Sequence, residues 1–549
     1  MRGFAESLTR PLRTLQTVRH LQPRQLFYQS LRRLQPVACR DGRPVEEIGL
    51  LPRRPVPQAA PHPAFDGRTF CFLNRRLAWE GERRWDPAGA DALWLFNLHY
   101  FRFLERVDPR IARTLITDWL AGRVPRRIAW HPYPISLRVR EWIEWLHAHP
   151  DAPAPLRAQM TRSIAAQIES LRRRLEFHLM GNHLLENAIT LCWAGLSCAG
   201  RPGDAWLAAG EALLAAQLRR QVLPDGAYEE RSPMYQAQIA EALLRLAGVA
   251  AQSPKAAAPA IAAAARAAGV RLFTTLVFMT HPDGDYALLN DTALGVAPAP
   301  ASLGRRFGLA APRADRGTWR LPSAGLAGWR GGGRYLIFDA GPIGPGHQPG
   351  HGHAGALSFE LSARARRIVT DTGVLTYADG SARRHDRSTA AHNTVEIDGR
   401  DQSEVWGAFR CGRRVSIARR AGDEGDRAFA GAYCGPGADG SLAVSHARTI
   451  AVGRRLLAFR DIVHARGDHR ATLRVHLAPG LRVTLDGHLG RIDDEDGRPV
   501  ATLAADGFEW AVSTSPYHPA FGTEVERPCV SAAMPFRHEL SARWWLLLN

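Results

Sequence analysis

Apolar residues recur at helical spacing along most of the first half of the chain. From Leu93 to about Met279 they fall at positions i, i+3 and i+4, the spacing that lines one face of an α-helix. The separators contain Pro, Gly or Asp, which end helices. Because the connections are short, the helices are expected to pair as stacked antiparallel hairpins in an α/α layer. The predicted helices are Pro109–Ala121, Ser136–His147, Pro155–Phe177, His183–Cys198, Asp204–Val222, Ala237–Ala250 and Ala256–Met279.

The pattern changes after about residue 320. Short alternating runs such as RYLIFDA and ATLRVHLA, separated by Gly and Asp turns, replace the helical spacing and indicate a sandwich of antiparallel sheets. The chain is therefore predicted to be a multidomain protein with α and β parts. Its predicted divisions are a basic segment over 1–65, a helical domain over 66–310 and an antiparallel β-sandwich over 311–549.

Composition narrows the class of protein. A chain of 549 residues with 45% hydrophobic and 23% charged residues is expected to be globular, with more than one core. No run approaches the roughly 18 uninterrupted apolar residues that span a bilayer. Arg10, Arg13 and Arg19 interrupt the apolar runs near the N-terminus, so no secretory signal is recognised and a cytoplasmic location is predicted. Seven dispersed Cys without a CxxC pair suggest neither a disulfide framework nor a thiolate metal site.

The charge of the chain is strongly positive. Lys and Arg number 71 against 53 Asp and Glu, which gives a net charge of +18. That surplus indicates a polyanionic partner, which could be nucleic acid, an anionic membrane or an acidic polysaccharide. An Arg-rich composition without a binding role explains the dispersed arginines equally well. The absence of zinc-finger, RNP and helix-turn-helix signatures argues against nucleic acid.

Histidines and a carboxylate with metal-ligand character occur in the strand-rich half. His351 and His353 lie two apart, so an extended backbone points both imidazoles to one side. Asp371 closes one strand-like run and His392 opens another. Histidine nitrogens and a carboxylate oxygen suit zinc, although a two-histidine motif alone equally describes a surface pair.

Five further candidate residues accompany them. Asn182 and His183 stand where a helix is predicted to begin, where Asn182 could equally be an N-cap. Glu186 follows one turn later on the same helical face. Tyr235 follows Ser-Pro-Met at another helix start, a position that a packing residue could also take, and Tyr377 flanks a turn.

Taken together, these motifs point to one family. GNHLLEN, ERSPMYQ, HGHAGALSFEL, DTGVLTY and STAAHNTVEIDG, in this order, resemble the heparinase II/III-like polysaccharide lyases, and RHLQPRQLFYQSLRRL and LWLFNLHYFRFL resemble the N-terminal region of that family. The resemblance implies an (α/α) toroid followed by antiparallel β-sheets, with the site between them. It also implies β-elimination on an acidic, uronic-acid-containing polysaccharide or oligosaccharide, leaving a 4,5-unsaturated uronate, and a periplasmic location as the alternative.

The resemblance also lends roles to individual positions. It implies that Asn182 and His351 hold and neutralise the uronate carboxylate and that Tyr235 transfers protons, with Tyr377 as a second catalytic tyrosine. His183 and Glu186 match residues of the groove near the catalytic centre. The implied ligands of a structural Zn²⁺ are His353, Asp371 and His392. Relatives commonly carry Asp where this chain has Gly355, a change that alters the support of the histidines.

The chemistry sets further requirements. A tyrosine with the ordinary pKa near 10 is a poor base, so a neighbouring cation is expected to lower its pKa. Arg231 and Arg387, together with Arg383 and Arg384, are candidates by sequence proximity. Arg138 and Arg140 could bind substrate carboxylates bidentately, although solvated arginines on a helix face are the more common explanation. Arg231 and Arg387 are also predicted to bind substrate. Two alternatives remain: a non-catalytic protein that binds acidic glycans or assembles exopolysaccharide, and a zinc hydrolase.

Overall fold

The computed structural model describes residues 11–34, 48–59, 65–122, 124–312, 317–419, 427–436 and 444–549. The first described helix, α1, covers residues 11–18. The helices that follow are α2 (Pro23–Leu34), α3 (Ala92–Tyr100), α4 (Pro109–Leu120), α5 (Arg126–Ala129), α6 (Pro132–Ala148), α7 (Ala154–Arg173), α8 (Gly181–Ser197), α9 (Gly200–Gln221), α10 (Pro233–Ala250), α11 (Ala258–Phe278), α12 (Pro300–Phe307) and α13 (Ser381–Arg387).

The helices from α3 to α12 form a toroid of packed hairpins. Helix α8 packs along α9, and α10 packs along α11, so sequential helices pair as expected. Asp108 caps α4 by accepting a hydrogen bond from the backbone N–H of Arg110, with Pro109 as the first helical residue. Their shared core contains the fully buried tryptophans Trp142 and Trp193. By length and composition α11 could cross a membrane, but half of its apolar window is buried, as in the core helix of a packed domain.

Strands dominate the chain from residue 317 onward. A small hairpin, β1 (Thr69–Phe72) and β2 (Arg75–Ala78), precedes the toroid. The later strands are β3 (Gly317–Leu321), β4 (Leu326–Gly331), β5 (Arg334–Asp339), β6 (Phe359–Ala363), β7 (Arg366–Val369), β8 (Val395–Ile397), β9 (Val405–Trp406), β10 (Arg410–Cys411), β11 (Ser416–Arg419), β12 (Ala428–Gly435), β13 (Val444–Val452), β14 (Leu456–His476), β15 (Arg482–Asp486), β16 (Leu489–Asp493), β17 (Pro499–Asp506), β18 (Ala511–Ala520) and β19 (Thr523–Leu548).

Two antiparallel sheets form the sandwich. One is a five-stranded meander in the order β3-β4-β5-β6-β7. The other has ten strands, of which β11-β12-β13-β14-β19-β17-β16-β15 form the main path, β18 pairs with β19 and β8 with β14. Phe359 of the small sheet contacts Phe459 of the large one at 4.9 Å between ring centroids. The predicted fold class, a helical toroid followed by an antiparallel sandwich, is confirmed.

The five-stranded sheet joins the two halves of the molecule. Side chains alternate between the faces of a strand, and β5 uses both faces. Tyr335 and Ile337 belong to the helical core, whereas Leu336 and Phe338 belong to the core between the sheets. Because both faces are buried, the loops at the edge of this sheet are held against the toroid, and a cavity lies at that junction.

Candidate active site

A cavity of about 860 Å³ opens between the toroid and the sandwich. Its volume lies within the range of sites that bury a small ligand. Six residues predicted from the sequence line it: Asn182, His183, Glu186, Tyr235, His351 and Tyr377. The toroid supplies the first four and loops of the sandwich supply the last two.

Two tyrosines and a histidine meet at one end of the cavity. Ser232 caps α10 and accepts a hydrogen bond from the backbone N–H of Tyr235, which fixes Tyr235 in the first helical turn. The hydroxyl oxygens of Tyr235 and Tyr377 lie 3.0 Å apart. The rings of Tyr235 and His351 have centroids 4.3 Å apart. Three groups that can exchange protons are therefore in mutual contact.

Asp291, which the sequence did not suggest, holds this histidine. Its carboxylate accepts hydrogen bonds from His351 Nδ1 at 2.8 Å and from His353 Nε2 at 2.9 Å. Arg383 donates to both oxygens of the same carboxylate. Burial by itself would raise the pKa of Asp291, but Arg383 and the two histidines outweigh it and hold that pKa well below the usual range. A charged carboxylate therefore fixes the orientation of both imidazoles.

Asn182 is the second residue of α8 rather than its N-cap. The helix begins at Gly181, and Met180 is the cap residue, with φ +64°. The Oδ1 atom of Asn182 is buried without a partner among the described residues. Its backbone N–H donates to Glu230 Oε1 at 2.6 Å. The residue is therefore held in place through its backbone while its side-chain amide is available to meet a ligand.

Glu230 is a second buried carboxyl behind the site. Burial raises its pKa to about 8, against the opposing effect of the Asn182 N–H. Its Oε2 atom has no hydrogen-bond partner among the described residues and lies 3.8 Å from His351 Nε2. Glu230 is therefore neutral near pH 7 and does not bring a second negative charge to this end of the cavity.

The cavity wall is apolar between pairs of opposite charges. Three arginines line it, and each forms an ion pair with a carboxylate that also lines it. The pairs are Arg102–Glu241 at 2.8 Å, Arg140–Glu186 at 2.6 Å and Arg245–Glu141 at 2.7 Å. Apolar side chains fill the spaces between them, including Leu93, Phe96, Leu294, Val296, Phe409 and Phe521. Among the described lining residues, each arginine is therefore matched by a carboxylate, and the positive surplus of the chain is not concentrated in this cavity.

The two tyrosines differ from the sequence-based expectation. Burial raises the pKa of Tyr235 well above 10. Burial likewise raises the pKa of Tyr377, although Arg383 opposes the shift with its guanidinium 4.9 Å from the ring centroid. The expected lowering of a tyrosine pKa is therefore wrong, since burial raises the pKa of both. Both hydroxyls are protonated and can act as donors.

Three arginines predicted to contact substrate have other roles. Arg138 is fully buried and donates to Gln167 Oε1 and to two backbone carbonyls within the toroid. Arg231 pairs with Asp339 and donates to the carbonyl of Ala324, between β3 and β4, and to that of Pro342, after β5. Arg387 donates to the Gly352 carbonyl at 3.1 Å. None of the three lines the cavity, so these predictions are wrong. Arg387 instead supports the segment between His351 and His353.

The predicted zinc ligands are buried but do not converge in this arrangement. His392 Nδ1 contacts Asp371 Oδ1 at 2.8 Å, whereas His353 is bonded to Asp291. His353 Nδ1 and His392 Nε2 have no hydrogen-bond partner among the described residues, and the centroids of the two rings are 5.4 Å apart. Across the described parts of the chain, no three His, Cys, Asp or Glu side chains are grouped to hold a metal. The zinc site therefore stays a prediction, and no chemical step is assigned to it.

Gly355 has a steric explanation. A Cβ added at this position would lie 2.9 Å from Cγ of His392, closer than side chains tolerate. The imidazole of His392 therefore occupies the space that a side chain at this position would need, which favours glycine.

The toroid and the sandwich form the fold that this chain shares with the solved structure of heparinase III. Two family models match the chain: "Heparinase II/III N-terminus" over residues 117–297 and "Heparinase II/III-like, C-terminal" over residues 313–542. The chain belongs to the heparinase II/III-like family.

Solved structures and a curated relative add to this assignment. Heparinase III superposes with a TM-score of 0.68 at 15% identity, covering 84% of this chain and 78% of that protein. A heparan sulfate lyase from Pedobacter heparinus has a TM-score of 0.57 at 15% identity, with coverage of 95% and 87%. At such identities the likeness shows the fold alone. FtsZ-localized protein C of Caulobacter vibrioides is 28% identical over 314 residues, which are 54% of this chain. The chain spans about half of that relative, 51% of its length.

Proposed function

We propose that this protein cleaves a uronic-acid-containing glycan by β-elimination. The observation that carries the proposal is the meeting of Tyr235, His351 and Asn182 at one end of a single cavity. In β-elimination the proton on C5 of a uronate is removed, the C4–O bond breaks and a C4=C5 double bond forms. That reaction needs a proton acceptor, a proton donor and a donor to the carboxylate.

His351 is assigned as the proton acceptor. Because Asp291 accepts the Nδ1–H of His351 at 2.8 Å, this tautomer leaves the lone pair on Nε2. The sequence suggested that His351 neutralises the carboxylate, but the contact with Asp291 favours transfer of the C5 proton to Nε2. The electron pair of the C5–H bond then forms the double bond.

Tyr235 is assigned as the proton donor. A phenol whose pKa is raised by burial keeps its proton until an alkoxide develops beside it. The glycosidic oxygen leaves with the electron pair of the C4–O bond and takes the Tyr235 proton. Tyr377, 3.0 Å away, stabilises the resulting phenolate. Transfer of the C5 proton from His351 to Tyr235 restores both groups.

Asn182 is assigned to the uronate carboxylate. Its amide lines the cavity, and rotation about the terminal bond exchanges oxygen for NH₂. A donor aimed at the carboxylate stabilises the charge that builds up when C5 loses its proton. The neutral Glu230 behind Asn182 avoids repulsion of that charge.

The charge of the cavity favours a sparsely charged glycan. Four carboxylates line it (Asp91, Glu141, Glu186 and Glu241) against three guanidinium groups, each already paired. A sulfate group bound in the cavity would lie beside these carboxylates. Among the described lining residues, every arginine that could bind it is already paired with a carboxylate. The substrate class favoured is therefore a uronate glycan with few or no sulfate groups, whose acetyl or other apolar substituents contact the apolar wall.

The decisive experiment follows the conjugated double bond by ultraviolet absorbance, because hydrolysis cannot form it. Tyr235→Phe should lower turnover by roughly 10²–10⁴-fold while the fold and glycan binding persist. Tyr286→Phe is the matched control, since the hydroxyl of this buried residue donates to the Ala297 carbonyl at 3.4 Å and the residue does not line the cavity. Reducing ends without the chromophore, or a fully active Tyr235→Phe, would refute the proposal.

A non-catalytic role is the alternative. The relative named FtsZ-localized protein C, matched over about half of this chain, supports a role that depends on localisation rather than on catalysis. The retention of Asn182, Tyr235 and His351 at one site favours catalysis, since binding alone does not need that set. Glycan binding without any unsaturated product would favour the alternative.

A further inference from the structure

Large apolar side chains are concentrated on the outer face of the first two helices. Of the twelve such side chains that are strongly exposed in the described parts of the chain, six lie within residues 12–34. We call these six the N-terminal apolar surface: Leu12 (64% exposed), Leu15 (64%), Val18 (36%), Leu26 (40%), Phe27 (62%) and Leu34 (81%). A cluster of this kind marks an interaction site more often than single exposed side chains do.

The two helices have the reverse of the usual arrangement of apolar and polar faces. A surface helix normally turns its apolar face to the core. Helix α2 buries only Gln25, whose amide donates to the His347 carbonyl at 3.3 Å, while Leu26 and Phe27 face outward. Helix α1 is held similarly, because Thr17 accepts a hydrogen bond from Trp406 Nε1 at 3.1 Å. Helix α2 also packs the ring of Tyr28 against that of Phe177, with centroids 4.7 Å apart. These contacts attach both helices to the body and leave the N-terminal apolar surface on the outside.

The charge beside this surface has one sign. Residues 11–34 contain five arginines and no Asp or Glu. Arg19, Arg24 and Arg33 are exposed. Apolar side chains flanked by arginines are typical of helices that lie in the interface of an anionic bilayer. Nucleic acid would use the arginines but not the apolar residues, and an acidic protein would need a matching apolar groove.

We propose that the N-terminal apolar surface binds anionic phospholipid membranes, with Leu and Phe side chains entering the headgroup and acyl boundary and arginines contacting lipid phosphates. This binding site is separate from the cavity and does not depend on the proposed lyase activity. Lipid phosphates would bind some of the arginines that make up the net charge of +18, whereas the arginines of the cavity are already paired with carboxylates.

The test measures co-sedimentation of the full-length protein with vesicles. Vesicles of equal parts phosphatidylglycerol and phosphatidylcholine should bind the protein, and vesicles of phosphatidylcholine alone should bind it more weakly. The double variant Leu15→Glu with Phe27→Glu should lower the affinity by more than about tenfold. The matched control is Leu489→Glu with Val512→Glu, two exposed apolar positions of the sandwich, which should bind as the wild type does.

Several outcomes would overturn the proposal. Absence of binding to the anionic vesicles would do so, as would equal losses in the two double variants. Sedimentation velocity without lipid provides a further check, because a dimer that Leu15→Glu with Phe27→Glu converts to a monomer, together with no vesicle binding, would assign the surface to a second copy of the chain. Because all four substituted side chains are exposed, circular dichroism should show the wild-type fold in each variant.

Discussion

Replacing Asp291 with Asn tests the network that holds the candidate catalytic histidine. The buried carboxylate accepts hydrogen bonds from His351, His353 and Arg383. An amide of the same shape offers one acceptor oxygen and one donor NH₂ in place of two acceptor oxygens. At least one of the three partners must then lose its acceptor, and the charge of Arg383 is left without its ionic partner.

The size of the effect follows from burial. Arg383 and Asp291 are both fully buried, and removing one partner of a buried ion pair destabilises a protein by about 3–5 kcal/mol. A loss of that size lowers the melting temperature of a domain of 150–250 residues by roughly 6 °C or more. If the NH₂ of the introduced amide faces His351, the imidazole adopts the other tautomer and Nε2 carries a proton. Turnover of the folded protein should then fall by roughly 10²–10⁴-fold.

The sandwich supplies a matched control for the loss of stability. Asp461 is another buried carboxylate that accepts hydrogen bonds from a histidine and an arginine, His446 and Arg448, both at 2.7 Å. It lies on β14 and does not line the cavity. Asp461→Asn should therefore lower the melting temperature similarly while leaving turnover of the folded enzyme unchanged.

The assay combines thermal unfolding with formation of the unsaturated product, measured well below the lower melting temperature. Turnover of wild-type size in folded Asp291→Asn would refute the assigned role of Asp291. Equal losses of turnover in the Asp291 and Asp461 variants would show that the effect is one of stability alone.

Three further predictions concern protonation, metal and charge. The pKa of Glu230 is raised from 4.5 to about 8, so between these values the folded protein holds a proton that the unfolded chain loses, and the free energy of unfolding should fall as pH rises. Urea unfolding at several pH values should show a smaller fall in Glu230→Gln. The same dependence of the unfolding free energy on pH in wild type and variant would refute the shift. If the predicted zinc site exists, the purified protein should contain about one zinc per chain, and its melting temperature should be lower in chelator or in His353→Ala. A protein without metal, whose melting temperature is unchanged in chelator, would refute the zinc site. Glu241→Gln should release Arg102 from its ion pair and strengthen heparin binding roughly three- to tenfold. Asp204→Asn, which releases Lys255 from an ion pair outside the cavity, should leave heparin binding unchanged. Equal effects of the two variants would show that the pairing of the cavity arginines does not limit binding of sulfated glycans.

The fold could be predicted because its patterns are local. Helical spacing, short connections and the later alternation each occur within one element, so the toroid and the sandwich followed from residues near one another in the chain. The start of α8 could not be predicted in this way. Met180, at φ +64°, serves as the cap residue because the chain turns sharply there, and no preferred capping residue marks the position.

The site was partly predictable for a related reason. Tyr235 and His351 belong to recognisable motifs, and the fold brings them together. Arg138 and Arg387 were assigned to substrate because an arginine in a sequence does not reveal what its guanidinium contacts. Here both are buried inside the protein, where Arg138 donates to an amide oxygen and a carbonyl and Arg387 donates to the Gly352 carbonyl.

Asp291 shows most clearly what residue identity leaves open. It stands in the coil LLNDTALG, which has neither helical nor strand periodicity, and its partners are about 60 to 92 residues away in the chain. The same imidazole can accept a proton at Nε2 or donate one there, and the choice depends on what Nδ1 contacts. The sequence predicts that a histidine is present, whereas its chemical role depends on a carboxylate that only the folded chain brings to it. The same reasoning applies to the arginines of the cavity, whose positive charges are already paired with Glu141, Glu186 and Glu241.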